Sequence, residues 1–104
     1  MSAPRANASR LLDWSARSRR DLLLIDAFYA QFGSPTAMRV VAAILDAATA
    51  LEQHPRIGVR GKRPGTRHQL VAEYPYIIVY RVRRNSVQIV RVLHQMRRYF
   101  DSVR

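Results

Sequence analysis

The side chains best suited to chemistry in this sequence of 104 residues are arginine, histidine and tyrosine, most of them in its second half. Arginine offers a fixed charge and paired donors for phosphate, histidine moves a proton near neutral pH, and tyrosine stacks on a base or donates a hydrogen bond. Together they could cut RNA without a metal: one group activates the 2′-hydroxyl, an arginine stabilises the phosphate and a third group protonates the leaving oxygen. The same set could equally hold a polyanion without cutting it.

Positive charge is concentrated in the second half of the chain. The 18 Lys and Arg residues exceed the 7 Asp and Glu residues and give a net charge of +11. Residues 1–53 contain six basic and five acidic residues, whereas residues 54–104 contain twelve basic and two acidic ones. This surplus implies a polyanionic partner, which could be nucleic acid, an acidic protein or an anionic membrane surface.

Several kinds of site are disfavoured. The chain has no cysteine, so it can form neither a disulfide nor a thiolate nucleophile. Its three histidines lie far from one another in the sequence, and its second half has only two carboxylates, Glu73 and Asp101. Gly58, Gly61 and Gly65 are too widely spaced for a dinucleotide fingerprint. We therefore expect no metal and no cofactor.

Without cysteine, a signal-like segment or an apolar run long enough for a bilayer, we also expect a cytoplasmic protein with no membrane partner.

The candidate binding residues lie on a glycine-rich loop, on predicted strands and in the C-terminal segment: Arg60, Lys62, Arg67, Arg81, Arg91, Arg97, Arg98 and Tyr99. Arg81 and Arg91 interrupt apolar strands, where a charge needs an open sheet face or an anionic partner. A charge run in a loop is as often solvated as bound. His94, at the end of an apolar strand, is more often structural than catalytic, and the strand tyrosines are expected to pack in or beside the core.

One domain must position these residues, because a chain of this length supports a single core. We predict a flexible lead-in over residues 1–9 and a domain over residues 10–104. A short apolar strand is predicted at 10–14, followed by helices over 16–32 and 35–53.

Caps and apolar spacing define the two helices. Ser15 and Ser34 are the predicted N-caps, and Gly33 is the predicted stop between the helices. Apolar residues three and four apart predict an inner stripe on each helix: Leu22, Ile25, Tyr29 and Phe32 on the first, and Ala37, Val41, Ile44, Ala48 and Leu51 on the second. The short connection makes the pair an αα-hairpin.

Beyond the loop at residues 56–67 the pattern becomes that of strands. Runs rich in Val, Ile and Tyr at 69–74, 76–83 and 87–94 are separated by plausible turns and predict an antiparallel meander. The order β-α-α-β-β-β indicates an α+β domain, with a two-helix hairpin packed on one face of a small antiparallel sheet.

Four motifs in this order carry a family resemblance: His54-Pro55-Arg56, Gly61-Lys62-Arg63-Pro64-Gly65-Thr66-Arg67, Pro75-Tyr76-Ile77-Ile78-Val79-Tyr80-Arg81-Val82, and Arg91-Val92-Leu93-His94 followed by Arg97. Trp14-Ser15 and Asp21-Leu22 fit as well. Over about residues 10–100 the chain resembles the ParE branch of the ParE/RelE toxin superfamily of bacterial type II toxin–antitoxin systems.

The resemblance implies the RelE/ParE-like fold and a basic toxin neutralised by an acidic, ParD-like or similar antitoxin that orders on binding. ParE-like members poison DNA gyrase, whereas RelE-like members cleave mRNA on the ribosome. In these systems the antitoxin is the usual DNA-binding partner, so we expect this chain to reach DNA only through the antitoxin complex.

One position separates the two branches. RelE-like nucleases generally carry a phosphate-gripping arginine where this sequence has Ile77, and an isoleucine cannot replace it. We therefore predict a growth-arresting gyrase inhibitor with no catalytic residues of its own. The alternative is a metal-independent, ribosome-dependent endoribonuclease, for which the candidate catalytic residues are His94, Arg97 and Arg81.

Overall fold

A computed structural model describes residues 10–96 as two helices on a five-stranded sheet. The predicted order of elements is confirmed, with one short strand added between α2 and β3. The elements are β1 Leu11–Trp14, α1 Ala16–Ala30, α2 Ser34–Ala50, β2 Val59–Arg60, β3 Arg67–Leu70, β4 Tyr76–Val82 and β5 Ser86–His94. The predicted lead-in lies outside the described residues.

The caps fix where the helices begin. The Ser15 hydroxyl accepts a hydrogen bond from the Ser18 N–H at 3.0 Å, as predicted for an N-cap. Gly33, with φ 107°, caps α2 without a side-chain bond, so the prediction of Ser34 as the cap was wrong by one residue. The helices also end two to three residues before their predicted limits, at Ala30 and Ala50.

The core lies between the helix pair and one face of the sheet. Ile25 of α1 is buried, but Phe32, predicted on the same stripe, is 64% exposed because it lies beyond the end of the helix. On α2 the fully buried valine is Val40 and not the predicted Val41, which is half-buried. The sheet contributes six residues to this core: Tyr76, Ile78, Tyr80, Val87, Ile89 and Val92.

The sheet is mixed and not purely antiparallel as predicted. Its strand order is β1-β5-β4-β3-β2, and β1 pairs with β5 in parallel, with Trp14 beside Ile89. Parallel pairing is possible because the chain returns to the sheet through both helices and three intervening strands. In β5, Val90 is an extra residue between the Val79–Arg91 and Tyr80–Ile89 pairs, a bulge that keeps Val92 facing the core.

The strand predicted at 69–74 is the element placed least accurately. It runs from Arg67 to Leu70, and the chain then turns through Glu73, which has φ 72°. Its outer edge pairs with β2, a strand of two residues within the predicted loop. Two exposed residues give no alternation to recognise, so β2 was missed.

Strand alternation gives the sheet two different faces. Tyr76, Ile78 and Tyr80 of β4 pack toward the helices, so Ile77, Val79 and Arg81 face the opposite side, where Ile77 is buried and the other two are half-buried. None of the helices within residues 10–96 has the length and apolar character needed to cross a membrane.

Candidate partner-binding surface

The topology gathers basic residues at one end of the sheet. β4 finishes at Val82, and the first residue of β3, Arg67, lies beside Tyr80, so the β2–β3 connection and the β4–β5 turn share this end. We call the following set the basic end: Arg60, Lys62, Arg63, Arg67, Arg81, Arg83 and Arg84.

The β2–β3 connection is an ordered hairpin turn. Gly61 N–H donates to the Thr66 carbonyl at 2.7 Å, while the Thr66 N–H and hydroxyl donate to the Arg63 carbonyl at 3.1 and 2.7 Å. A Cβ at Gly61 would collide with the Thr66 hydroxyl, and Gly65 has φ 80°. The glycines are therefore required by close packing and a left-handed turn.

Tyr80 and Arg67 hold the base of this hairpin. The buried Tyr80 hydroxyl accepts a hydrogen bond from Gly58 N–H at 2.9 Å, and Arg67 Nη1 donates to the carbonyls of Gly58 and Arg56 at 2.8 and 3.3 Å. Burial raises the pKa of the Tyr80 phenol, although its bond to Gly58 and the positive charges of Arg67 and Arg56 act in the opposite direction. The predicted binding residue Arg67 therefore has a structural role.

Neutral oxygens hold two more arginines of the basic end. Arg81 Nη1 donates to the Pro64 carbonyl at 3.3 Å, and Arg83 Nη2 donates to the Gln88 side-chain oxygen at 2.9 Å. These bonds orient the guanidinium groups without neutralising them. The outermost members of the basic end are solvent-exposed: Arg60, Lys62, Arg63, Arg83 and Arg84.

Arg91 was predicted as part of the binding surface, but it has an internal partner. Its Nε and Nη2 donate to the two Asp21 carboxylate oxygens at 2.8 and 3.1 Å. The same carboxylate accepts Val92 N–H at 2.9 Å, so Asp21 occupies the edge of β5 beyond Trp14, the last residue of β1. Asp21 supplies the anionic partner that a strand arginine requires, across 70 residues of sequence.

His94 lies away from the basic end. It pairs with Tyr76 at the far end of β4, and the two rings meet edge to face at 5.5 Å. Its Nδ1 accepts Met96 N–H at 3.1 Å. Arg81 is five residues further along β4, about 17 Å at 3.3 Å per residue, and faces the opposite side of the sheet.

The three residues of the alternative catalytic set are thus not all brought together. Arg81 and His94 lie at opposite ends and on opposite faces of the sheet. Arg97, Arg98 and Tyr99 lie outside the described residues. Ile77, the position that distinguishes the nuclease branch, is buried and 1% exposed.

A second surface is apolar and was not predicted. Leu23, Leu24, Phe28 and Phe32, which we call the apolar stripe, are 69%, 59%, 52% and 64% exposed on and just beyond α1. The rings of Phe28 and Phe32 are 5.7 Å apart. Clustered exposed apolar side chains of this size are typical of a protein interface. Leucine and phenylalanine carry no reactive group, so the chemistry of these side chains does not mark them in the sequence.

The titratable groups give no sign of a metal centre in residues 10–96, where no three His, Asp or Glu side chains are grouped as metal ligands. Burial raises the pKa of the Tyr76 phenol well above its usual range, reinforced by its hydrogen bond with Tyr29. Both phenols therefore stay neutral and structural near neutral pH.

Residues 12–99 match the family model for the ParE toxin of the type II toxin–antitoxin system parDE. Over 81 residues the chain is 40% identical to the Sinorhizobium fredii protein named "Putative toxin Y4kP", covering 78% of this chain and 83% of that protein. It also resembles a chain of the chromosomal ParDE system of P. aeruginosa, with a TM-score of 0.75 and 25% identity over 83% of this chain and 96% of that one. A chain of the RelBE2 toxin–antitoxin complex of Mycobacterium tuberculosis shares the fold, with a TM-score of 0.61 and 24% identity over 84% and 92%.

Proposed function

We propose that this chain, which belongs to the ParE toxin family of type II toxin–antitoxin systems, arrests growth by binding DNA gyrase and inhibiting it. In this proposal the toxin itself makes or breaks no covalent bond. The observation that carries the proposal is the separation of Arg81 from His94. A metal-independent ribonuclease must bring its acid, base and phosphate-binding groups within hydrogen-bond reach of one phosphodiester.

Ile77 also favours inhibition by contact. Its side chain is buried, so the site at which nuclease relatives are expected to grip phosphate holds an apolar group. His94 is exposed, but its Nδ1 accepts Met96 N–H and its ring meets Tyr76 edge to face, so that nitrogen is not free to take a proton from a substrate. Both observations support a toxin that acts through its surface.

We infer that the partner neutralising the toxin is an acidic antitoxin with an apolar helix. The solved structures that resemble this chain come from toxin–antitoxin systems. The apolar stripe suits the apolar face of such a helix, since Leu24 and Phe28 are one turn apart on α1 and the Phe32 ring lies 5.7 Å from that of Phe28. Acidic side chains flanking that helix would complement the net charge of +11.

A supercoiling assay tests the proposed target. Purified full-length toxin, added at micromolar concentration to gyrase, ATP and relaxed plasmid, is expected to stop supercoiling, and prior addition of the cognate antitoxin should restore it. His94→Ala is the matched variant and should inhibit as strongly as the wild-type toxin, because the proposed inhibition uses no proton-transfer group. Unchanged supercoiling with folded toxin in excess over gyrase would refute the target.

A further inference from the structure

We propose that the basic end binds the phosphate backbone of duplex DNA directly, through the toxin's own side chains. This goes beyond gyrase inhibition, because the binding requires no protein partner. It also departs from our sequence-based expectation that the chain reaches DNA only through the antitoxin. The reason is topological: residues up to 24 apart in sequence, such as Arg60 and Arg84, meet at one end of the sheet.

The spacing of the basic end suits a row of phosphates. Its residues extend from β2 to the β4–β5 turn, across four strands about 4.8 Å apart, and so span roughly 14 Å. Four base-pair steps of DNA rise about 14 Å along the helix axis, at about 3.4 Å each, so the row is long enough to reach several neighbouring phosphates.

Among the acidic residues within 10–96, Glu52 borders this row: its carbonyl accepts Arg10 N–H at 2.9 Å, and Arg10 Nε donates to the Arg83 carbonyl at 3.1 Å. Arg10 thus adds a positive charge beside that acidic residue.

Two other acidic residues lie further off. Glu73, the acidic residue nearest in sequence, is in the β3–β4 turn at the other end of the sheet. Asp13 is on β1 opposite Gln88, which itself pairs with Arg81, so it is two strand spacings from that arginine. The acceptors of Arg81 and Arg83 are neutral oxygens, and the positive potential of the basic end is therefore retained.

Nucleic acid suits this surface better than a protein does. Protein interfaces are anchored by buried aromatic or aliphatic side chains, whereas residues 60–66 of the hairpin and 83–85 of the β4–β5 turn contain none. These segments hold instead Arg, Lys, Gly, Thr, Asn and Pro, a composition typical of contacts to phosphate. Leu11 and Val59 are exposed beside the basic end, at 74% and 59%, but they are single side chains on different strands, whereas the apolar stripe groups four.

Duplex is favoured over single-stranded nucleic acid for a related reason. Single strands are held largely by stacking of bases on exposed aromatic rings. Among the Phe, Tyr and Trp residues within 10–96, the one closest to the basic end is Tyr80, which is fully buried and faces the helices. The basic end thus offers charge without a stacking platform, which predicts weak, sequence-independent binding to the duplex backbone.

The test is fluorescence anisotropy of full-length toxin with labelled duplex DNA of about 20 base pairs, at salt concentrations from about 50 to 200 mM. The test variant is Arg60→Gln/Arg63→Gln/Arg84→Gln. These three side chains are exposed, and the hydrogen bonds that hold the hairpin come from other residues. The variant is expected to bind at least about tenfold more weakly at low salt, with a salt slope smaller by about two to three.

The matched control is Arg17→Gln/Arg19→Gln/Arg20→Gln. It removes the same charge from exposed positions of α1 and should stay within about threefold of the wild-type affinity. Circular dichroism melting checks that all three proteins fold alike. Three results would overturn the proposal: no duplex binding by wild-type toxin at low salt, equal weakening by both triple variants, or tighter binding to single-stranded RNA or anionic vesicles than to duplex DNA. Gyrase is absent from this binding assay, so none of these results bears on whether the toxin inhibits gyrase in the supercoiling assay.

Discussion

Arg91 and Arg81 both lie on the sheet, yet one is held by a carboxylate and the other by a carbonyl. Where α1 crosses the edge of β5, Asp21 binds Arg91 through two hydrogen bonds and also accepts Val92 N–H. At the basic end, Arg81 donates to the Pro64 carbonyl. The Asp21–Arg91 pair therefore joins helix to sheet, whereas Arg81 has an uncharged acceptor and its charge is not neutralised by that contact.

The comparison shows that an arginine within a strand does not by itself identify a binding surface. What decides its role is whether the fold places a carboxylate beside it. The local sequence around Arg91 contains no acidic residue, and its partner comes from the first helix. Substitutions in the Asp21–Arg91 pair should therefore lower the free energy of unfolding, whereas substitutions in the basic end should weaken binding.

The largest effect is expected for Asp21→Ala. It leaves the Arg91 charge without its partner and Val92 N–H without its acceptor, so we expect a loss of about 3 kcal/mol in the free energy of unfolding, measured by urea denaturation. Asp26→Ala, at an exposed position of the same helix, is the control and should change it by less than about 0.5 kcal/mol. Equal effects of the two substitutions would mean that Asp21 does not join α1 to the sheet.

A direct contrast of the two arginines comes next. Arg91→Gln should cost about 2 kcal/mol, because the largely buried Asp21 loses its counter-charge. Arg81→Gln should cost less than about 1 kcal/mol, since only one exposed hydrogen bond of 3.3 Å to an uncharged carbonyl is lost. Urea denaturation of both variants measures the difference, and a reversed order would contradict the comparison.

Removal of the Tyr80 hydroxyl is expected to have a smaller effect on stability than Asp21→Ala. Tyr80→Phe leaves Gly58 N–H without its acceptor at the base of the hairpin, at a cost of about 1 to 2 kcal/mol. Hydrogen exchange should show faster exchange at Gly58. If exchange there stayed as slow as in the wild type, the hydroxyl would not hold the hairpin.

The smallest effect on the free energy of unfolding is expected from the loss of the Tyr76 and Tyr80 protons at alkaline pH. Burial raises the pKa of Tyr76 and of Tyr80 above the ordinary tyrosine value of about 10, so above that pH the unfolded chain loses these protons before the folded one. The free energy of unfolding should therefore fall as pH rises above about 10. Tyr76→Phe should make this fall shallower, as measured by urea denaturation at stepped pH, whereas an unchanged slope would contradict a raised pKa in the folded state.

The order of elements and most of their boundaries could be predicted from local signals. Ser15 marks the start of α1 because a hydroxyl there satisfies a free helix N–H, and the runs rich in Val, Ile and Tyr predict β4 and β5 within a residue of their ends. The family resemblance, confirmed by the match over residues 12–99, rests on the same motifs.

What could not be predicted depends on contacts between distant residues. Residues 70 or more positions apart are joined by the parallel pairing of β1 with β5 and by the Asp21–Arg91 bond. The spacing of neighbouring residues carries no information about such contacts. The basic end as a surface was equally invisible, because charge runs in a loop and in a turn become neighbours only once the strands pair. Phe32 was misassigned because the helical period was extended past the true end of α1.

Two assays on one preparation of full-length toxin test whether it inhibits gyrase without cutting RNA. One contains gyrase and relaxed plasmid, and the other contains translating ribosomes and a reporter mRNA. We predict that supercoiling stops while the mRNA stays intact, and that His94→Ala changes neither result. Codon-linked cuts in the mRNA that vanish with His94→Ala, together with normal supercoiling, would contradict it.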